Sequence, residues 1–298
     1  MLDKLKELAN GKRIKIVGHK NPDFDSIASG MILERFLRSN KIDAHFVCEG
    51  VSDINALSAL KYLGIGIPSY YGKIEEGDLL FLVDHHSTEY KNLVIGCIDH
   101  HSTNSEIKFP IYVNLPSSSC ALSILRIAEE KGFVFDKTEV KLALMSVYMD
   151  TRSCKSTKFV ATDTEWISNV TKKYSFANEL DTFERLGYCL TDMSSSLEEL
   201  SKSDIKEYIF NNKKIYVSHI QTILTDDTEE ILKKVYSYIE EKRKRYGAEL
   251  WILMVSDPKR ESTLVIRFCE AGRRKSDFDK LLSRSIDVIP AIEKEFGI

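Results

Sequence analysis

Three short apolar runs in the first third of the chain, Arg13-Ile14-Lys15-Ile16-Val17, Leu79-Leu80-Phe81-Leu82-Val83 and Leu93-Val94-Ile95-Gly96-Cys97-Ile98, each break off into a polar cluster. Short, largely apolar runs of this length predict strands, as in a parallel sheet. Between and beyond them the apolar residues recur at helical spacing. Ser26–Leu33 opens a helix with Asp25 or Ser26 near its N-cap, and Leu122–Glu130 forms another, with Ser117-Ser118-Ser119 as capping candidates and Gly132 as its stop. Val140–Met149 is too apolar to be an exposed helix and would carry Asp150 rigidly at its end. Strands alternating with helices from residue 13 to about 150 predict βαβ units.

The pattern changes after residue 190. Residues 190–204 hold six Ser or Thr and few apolar positions, which predicts a linker with a helical turn or two. Lys214–Ile220 then reads as a strand, and a helix follows from about Thr228 to Tyr246, with Asp227 and Glu230 at capping-box spacing and Gly247 as the stop. Glu249–Asp257 and Ser262–Phe268 predict a hairpin across Pro258-Lys259-Arg260. The expected fold is therefore α/β: a parallel-sheet N-terminal domain with helices on both faces over 1–190, a linker over 191–204, and a smaller α/β domain over 205–298.

The polar clusters carry the chemistry. His19, Asp23 and Asp25 follow the first run, Asp84-His85-His86 the second and Asp99-His100-His101 the third. Of seven histidines, five lie in these three places, so chance solvated turns are a poor account of them. Carboxylates and imidazoles together suit divalent cations such as Mn²⁺, and several Asp groups allow one to bridge two ions. The ends of parallel strands are also where α/β sheets bind ligands. The start of the helix at Ser26 would aim free N–H groups at the same place, which favours phosphate. His45 and His219 fall inside strand-like patterns and read as structural.

Composition narrows the class. With 298 residues, 43% of them hydrophobic, the chain exceeds one usual core, and no apolar run approaches the ~18 residues of a membrane span. The charged start Met1–Glu7 lacks the apolar core of a signal peptide, and the six Cys are scattered without metal-site spacing, so a cytoplasmic protein with reduced thiols is expected. A formal charge of −3 argues against a general nucleic-acid-binding surface. No Walker-type P-loop is present.

Gly18-His19-Lys20-Asn21-Pro22-Asp23-Phe24-Asp25-Ser26, Val83-Asp84-His85, Ile98-Asp99-His100-His101 and Tyr148-Met149-Asp150-Thr151 together resemble the four motifs of the DHH phosphoesterases, particularly the manganese-dependent (family II) pyrophosphatase and exopolyphosphatase branch. Order and rough spacing match over 13–155. The resemblance implies a two-metal hydrolase of phosphoanhydride bonds, with Mn²⁺ as the ion and Mg²⁺ or Co²⁺ as alternatives. It implies that His19, Asp23 and Asp84 bind one metal, that Asp25, Asp84, His100 and Asp150 bind the other, and that His101 faces a small phosphorylated substrate. Asp204-Ile205-Lys206-Glu207 and Ser283-Arg284 resemble the family's second domain more weakly, and imply that Lys206 and Arg284 bind phosphate across a cleft. A homodimer remains open.

Two departures bear on the substrate. The family's Ser-Arg-Lys-Lys run stands here as Ser283-Arg284-Ser285-Ile286, and its Asp-His-Asn as Asp84-His85-His86. Arg273, Arg274 and Lys275 form a basic cluster that could replace the missing lysines. The alternatives to phosphoanhydride hydrolysis are a phosphodiesterase of short oligonucleotides or cyclic dinucleotides, whose Gly-Gly-Gly-His signature is absent, and a non-catalytic phosphate-binding protein on the same scaffold.

Overall fold

A computed structural model describes residues 1–48, 50, 53–66, 73–101 and 108–297. They form two compact units, Met1–Cys154 with Phe159–Gly187, and Lys155–Lys158 with Tyr188–Ile298.

The first unit runs α1 (Leu2–Ala9), β1 (Ile14–Val17), α2 (Phe24–Ser39), β2 (Ala44–Val47), α3 (Ile54–Leu63), β3 (Leu79–Val83), β4 (Val94–Asp99), β5 (Tyr112–Asn114), α4 (Cys120–Glu130), α5 (Lys137–Asp150), α6 (Asp163–Tyr174) and α7 (Leu180–Gly187). Its five strands are all parallel, in the order β2-β1-β3-β4-β5. Every position of β4 is buried, so both faces of the sheet are covered there and the apolar runs need no alternation. Val17, Leu80, Leu82, Val94 and Cys97 make one core layer, with Tyr90, Phe109 and Tyr112 packed against it. A Cβ at Gly30 would come within 2.1 Å of the Phe46 ring, so only glycine lets α2 lie this close to β2.

The chain leaves β1 for β2 on one side and then returns for β3 on the other. The carboxyl ends of β1 and β3 thus flank a topological switch point, the place where open α/β sheets bind ligands.

The second unit holds α8 (Leu197–Ser201), β6 (Lys206–Phe210), β7 (Lys213–Gln221), α9 (Asp226–Arg245), β8 (Leu250–Asp257), β9 (Ser262–Cys269), β10 (Gly272–Phe278) and α10 (Ile289–Phe296), with a π-helical turn at Arg284–Val288. The sheet order is β10-β9-β8-β7-β6, with β7 and β8 parallel and the other pairs antiparallel. Trp251, Leu253 and Val255 of β8 face a core with Leu232, Val235, Tyr236 and Ile239 of α9. Leu250, Ile252 and Met254 face Leu282, Val288 and Ile292 on the other side. The sheet is covered on both faces, which is why β8 reads as one apolar run.

Three local expectations differ. Asp23, not Asp25 or Ser26, caps α2 by accepting from the Ser26 N–H at 3.1 Å, which frees Asp25 to point elsewhere. Thr225 and Thr228 form the capping box of α9 in place of Asp227 and Glu230. The stretch 191–204, read as a linker, packs within the second unit: Leu200 is 1% exposed in its core, and Thr191 N–H donates to Gln221 O at 2.7 Å.

Candidate metal centre

Three neighbouring strands and one helix end deliver the polar clusters to one place. His19, Asp23 and Asp25 follow β1, Asp84 follows β3, Asp99 ends β4 with His100 and His101 after it, and Asp150 ends α5. Among the described residues, His19, Asp23 and Asp84 form one group whose ligand atoms lie within 4.8 Å of one another, and Asp25, His100 and Asp150 form another. Asp84, His100 and His101 make a third overlapping group.

Asp84 connects them. Its Oδ2 lies 3.7 Å from His19 Nε2, while its Oδ1 lies 3.4 Å from His100 Nε2. The two oxygens of one buried carboxylate therefore face different groups. Its backbone is left-handed, φ 63°, a conformation that Asp tolerates better than most residues and that recurs at functional sites.

The spacings fit cations. His100 Nε2 is 3.4 Å from Asp150 Oδ2 and 3.5 Å from Asp25 Oδ2, and His19 Nε2 is 3.4 Å from Asp23 Oδ2. These exceed the usual ~2.7–3.2 Å of an N–H···O bond. They approximate the edges between ligands that each stand about 2.1 Å from a shared ion, roughly 3.0–3.4 Å.

The electrostatics agree. Burial, and then Asp84, Asp150 and Asp23 nearby, push the Asp25 carboxyl up to about 8, so without a cation it holds a proton at neutral pH. Burial would lower His19, but Asp23 and Asp84 override it and raise the imidazole to about 10. Burial and Asp23 oppose ionisation of Asp84, yet His100, His101 and His19 keep it below the usual carboxylate range.

A surrounding layer fixes these groups. His19 Nδ1 pairs with Lys20 O at 3.1 Å and His100 Nδ1 with Ser117 O at 2.9 Å, so each ring turns its Nε2 toward the carboxylates of its group. Ser26 Oγ donates to Asp84 Oδ2 at 2.6 Å. Asp25, 2% exposed, accepts from the N–H groups of Cys120 and Ala121 at the start of α4 and from Ser146 Oγ. Asp99 accepts from His86 Nδ1 at 2.5 Å and His101 Nδ1 at 2.9 Å. Burial works against its charge, but those two imidazoles hold its pKa far below the ordinary value.

The side chains of Ser26 and Ser146 carry no site signal of their own in the sequence, whereas Asp99 belongs to the third polar cluster but enters the site through His86 and His101 rather than through the two main groups. Ser146 stands four residues before Asp150 on α5, a spacing that puts both on one helix face and could have drawn notice. His101 is about a third exposed with its Nδ1 committed to Asp99. His45 pairs with Glu34 at 3.5 Å and His219 with Ser256 Oγ at 2.8 Å, apart from the ligand groups.

In the second unit Arg284 reaches Asp204 at 3.0 Å, and Arg284, His219 and Lys206 outweigh burial to keep the Asp204 carboxyl below its usual range. Arg273, Arg274 and Lys275 lie elsewhere. They are on β10, at the opposite edge of the sheet from β6, and Arg273 and Lys275 cover the Tyr236 ring of α9. The register Arg273–Phe268–Trp251–Tyr216–Glu207 separates Arg273 from the start of β6 by successive strand spacings of ~4.8 Å, about 19 Å in all. They do not replace lysines beside Arg284.

No helix among the described residues is long and apolar enough to cross a membrane. Comparison with known proteins gives relatives of matching length. The chain is 27% identical to a manganese-dependent inorganic pyrophosphatase of Methanocaldococcus jannaschii, covering 95% of this chain and 99% of that one. It is 26% identical to a probable manganese-dependent inorganic pyrophosphatase of Clostridium acetobutylicum, over 85% of this chain and 84% of that one. The crystal structure of a Methanococcus jannaschii protein described as a family II inorganic pyrophosphatase shares the fold, with a TM-score of 0.76 at 24% identity over 96% of this chain and 100% of that one. A Bacteroides fragilis exopolyphosphatase-related protein shares it more loosely, with a TM-score of 0.50 at 15% identity over 100% of this chain and 97% of that one. The DHH family's N-terminal domain matches residues 13–150 and the DHHA2 domain residues 191–294, so the chain belongs to the DHH family of phosphoesterases.

Proposed function

We propose that this chain is a two-metal phosphohydrolase that cleaves the phosphoanhydride bonds of pyrophosphate or polyphosphate, with Mn²⁺ as its ion. The observation that carries the reading is the division of the two Asp84 oxygens between the His19 group and the His100 group. The names of the relatives support the choice of ion and of a small phosphorylated substrate.

In this reading His19, Asp23 and Asp84 hold one ion, and Asp25, Asp84, His100 and Asp150 the other. When bound, a divalent pair supplies a water deprotonated at neutral pH and neutralises charge on the phosphoryl oxygens. The chain's own residues do the rest. Asp99 holds the His101 Nδ1–H, which leaves Nε2 to hold or give a proton at the leaving oxygen. Lys206 and Arg284 would bear on the charge that spreads over the equatorial oxygens, with Arg284 oriented by Asp204.

The test is phosphate release from pyrophosphate, tripolyphosphate, long-chain polyphosphate and a dinucleotide, each with Mn²⁺, with Mg²⁺ and after chelation. Metal-dependent release from at least one of the first three, and little from the dinucleotide, is expected. Cleavage of the dinucleotide alone would favour the phosphodiesterase alternative, and two bound ions with no turnover on any substrate would favour a binding protein.

A further inference from the structure

The two ligand groups are not supported alike. His19 and Asp23 are held by their own loop, through the Lys20 carbonyl and the cap of α2. Asp25 and His100 both depend on one distant segment, residues 117–121. Its Ser117 carbonyl orients the His100 ring, and its Cys120 and Ala121 N–H groups clamp the Asp25 carboxylate at 2.8 and 2.9 Å.

That segment is itself pinned. Ser118 N–H donates to Asp163 Oδ2 at 2.8 Å, and Val160 N–H donates to Ser118 Oγ at 2.9 Å, so the start of α6 is stitched to the loop before α4. Asp163 is fully buried, and Arg126 of α4 meets its other oxygen at 2.7 Å. Arg126 keeps about a third of its side chain in water, and such a pair does little for stability, because desolvation of the carboxylate offsets most of a screened attraction. Holding a loop in one geometry is a better account of why a charge is buried here.

We propose that Asp163 is a positioning residue for one metal only: by clamping residues 117–121 it sets the affinity of the Asp25–His100–Asp150 group, and it leaves the His19–Asp23 group untouched. The inference rests on the two-metal reading given above. Asp163 contacts neither group, so its influence must pass through Ser118 to Ser117 and to the N-terminal turn of α4. Partners of metal ligands typically alter affinity by roughly 10–100-fold, and a residue one step further out should fall toward the lower end of that range.

The experiment titrates the metal-stripped full chain with Mn²⁺ by calorimetry and counts bound metal by elemental analysis after desalting. The parent chain is expected to bind two ions. Asp163→Ala should keep one ion at the parent affinity and bind the second about tenfold or more weakly. Asp163→Asn, which retains an acceptor for Ser118 but not the charge facing Arg126, should fall between them. If the alanine variant does not fold, the asparagine variant decides alone. Added to His100→Ala, Asp163→Ala should cost little further affinity, whereas added to His19→Ala it should weaken the site that remains. Arg35→Ala serves as a control, since it breaks the pairs with Asp136 and Glu139 in the same unit and should lower thermal stability without changing either affinity. Equal weakening of both ions, or of neither, overturns the proposal. Fewer than two ions on the parent chain overturns the two-metal reading itself, and so separates the two failures.

Discussion

At the scale of single residues, Asp84 and Asp99 do different work with the same side chain. Asp84 turns its two oxygens to two ligand groups, and its left-handed backbone is tied across to β4 by the N–H bond to Ile98 O at 3.1 Å. Asp84→Ala should therefore remove both ions together and abolish turnover, whereas His19→Ala should leave one ion bound; elemental analysis beside kinetics reads both. A variant that kept near-normal activity would end the role of Asp84 as a bridge. Asp99 is absent from both principal ligand groups and instead receives two imidazole N–H groups. Asp99→Ala removes the oxygen that accepts from His101 Nδ1 and so frees the ring. Two ions should remain while kcat falls by roughly 10²–10⁴, the usual loss for a misplaced acid or base. An unchanged kcat would show that His101 is oriented by something else.

At the scale of elements, α5 joins a cap at one end to a ligand at the other. Asp136 caps it, and Glu139 closes the box by accepting the Asp136 N–H at 2.9 Å. Burial, reinforced by the contact with Asp136, pushes the Glu139 carboxyl up to about 7 despite Arg35, from an ordinary value of 4.5. A raised carboxyl binds its proton more tightly folded than unfolded. Its contribution to stability is complete below pH ~4.5 and is lost as the pH rises through about 7, by at most ~3 kcal/mol. Glu139→Gln keeps a neutral side chain at every pH. In metal-stripped protein, the thermal midpoint of this variant should fall less between pH 4.5 and 8 than that of the parent, and parallel slopes would remove Glu139 as the cause.

The elements themselves were largely legible. β1, β3 and β4 follow largely apolar runs that read as strands, and the candidate ligands stand at or just past their carboxyl ends. One reading failed and another stopped short, both because a local signal does not reveal a tertiary partner. Residues 191–204 look like a linker because their serines are polar, but Ser196 caps α8 and lets Leu200 reach the core of the second unit. Asp227 and Glu230 had the right spacing for a box that Thr225 and Thr228 make two residues earlier. In the site, Asp and His ligands announce themselves by type. The Ser117 carbonyl and the N–H groups of Cys120 and Ala121 do not, since a backbone group has no letter in the sequence.

At the scale of the whole molecule, the roles proposed above fall in separate units. Every candidate metal ligand belongs to the first, and the basic residues proposed to meet phosphate, Lys206 and Arg284, belong to the second. Substrate choice should then be adjustable in the second unit without disturbing metal binding in the first. Ser285 and Ile286 are the positions to change. They follow Arg284 in the same π-helical turn, Ile286 is 46% exposed, and the family pattern has lysines there. The basic strand β10 cannot serve instead, because the width of the sheet lies between it and β6. Each added charge-assisted contact to a transferring phosphoryl group is worth about 2–4 kcal/mol in the transition state by analogy with oxyanion donors. Ser285→Lys with Ile286→Lys should therefore raise kcat/KM for pyrophosphate relative to long-chain polyphosphate by at least about tenfold, since the shortest substrate has the fewest other phosphates to grip. Metal stoichiometry should stay at the parent value. A ratio that does not move would mean that these two positions do not set substrate choice, and would leave the determinant to groups around Arg284 and Asp204 that the parent chain already has.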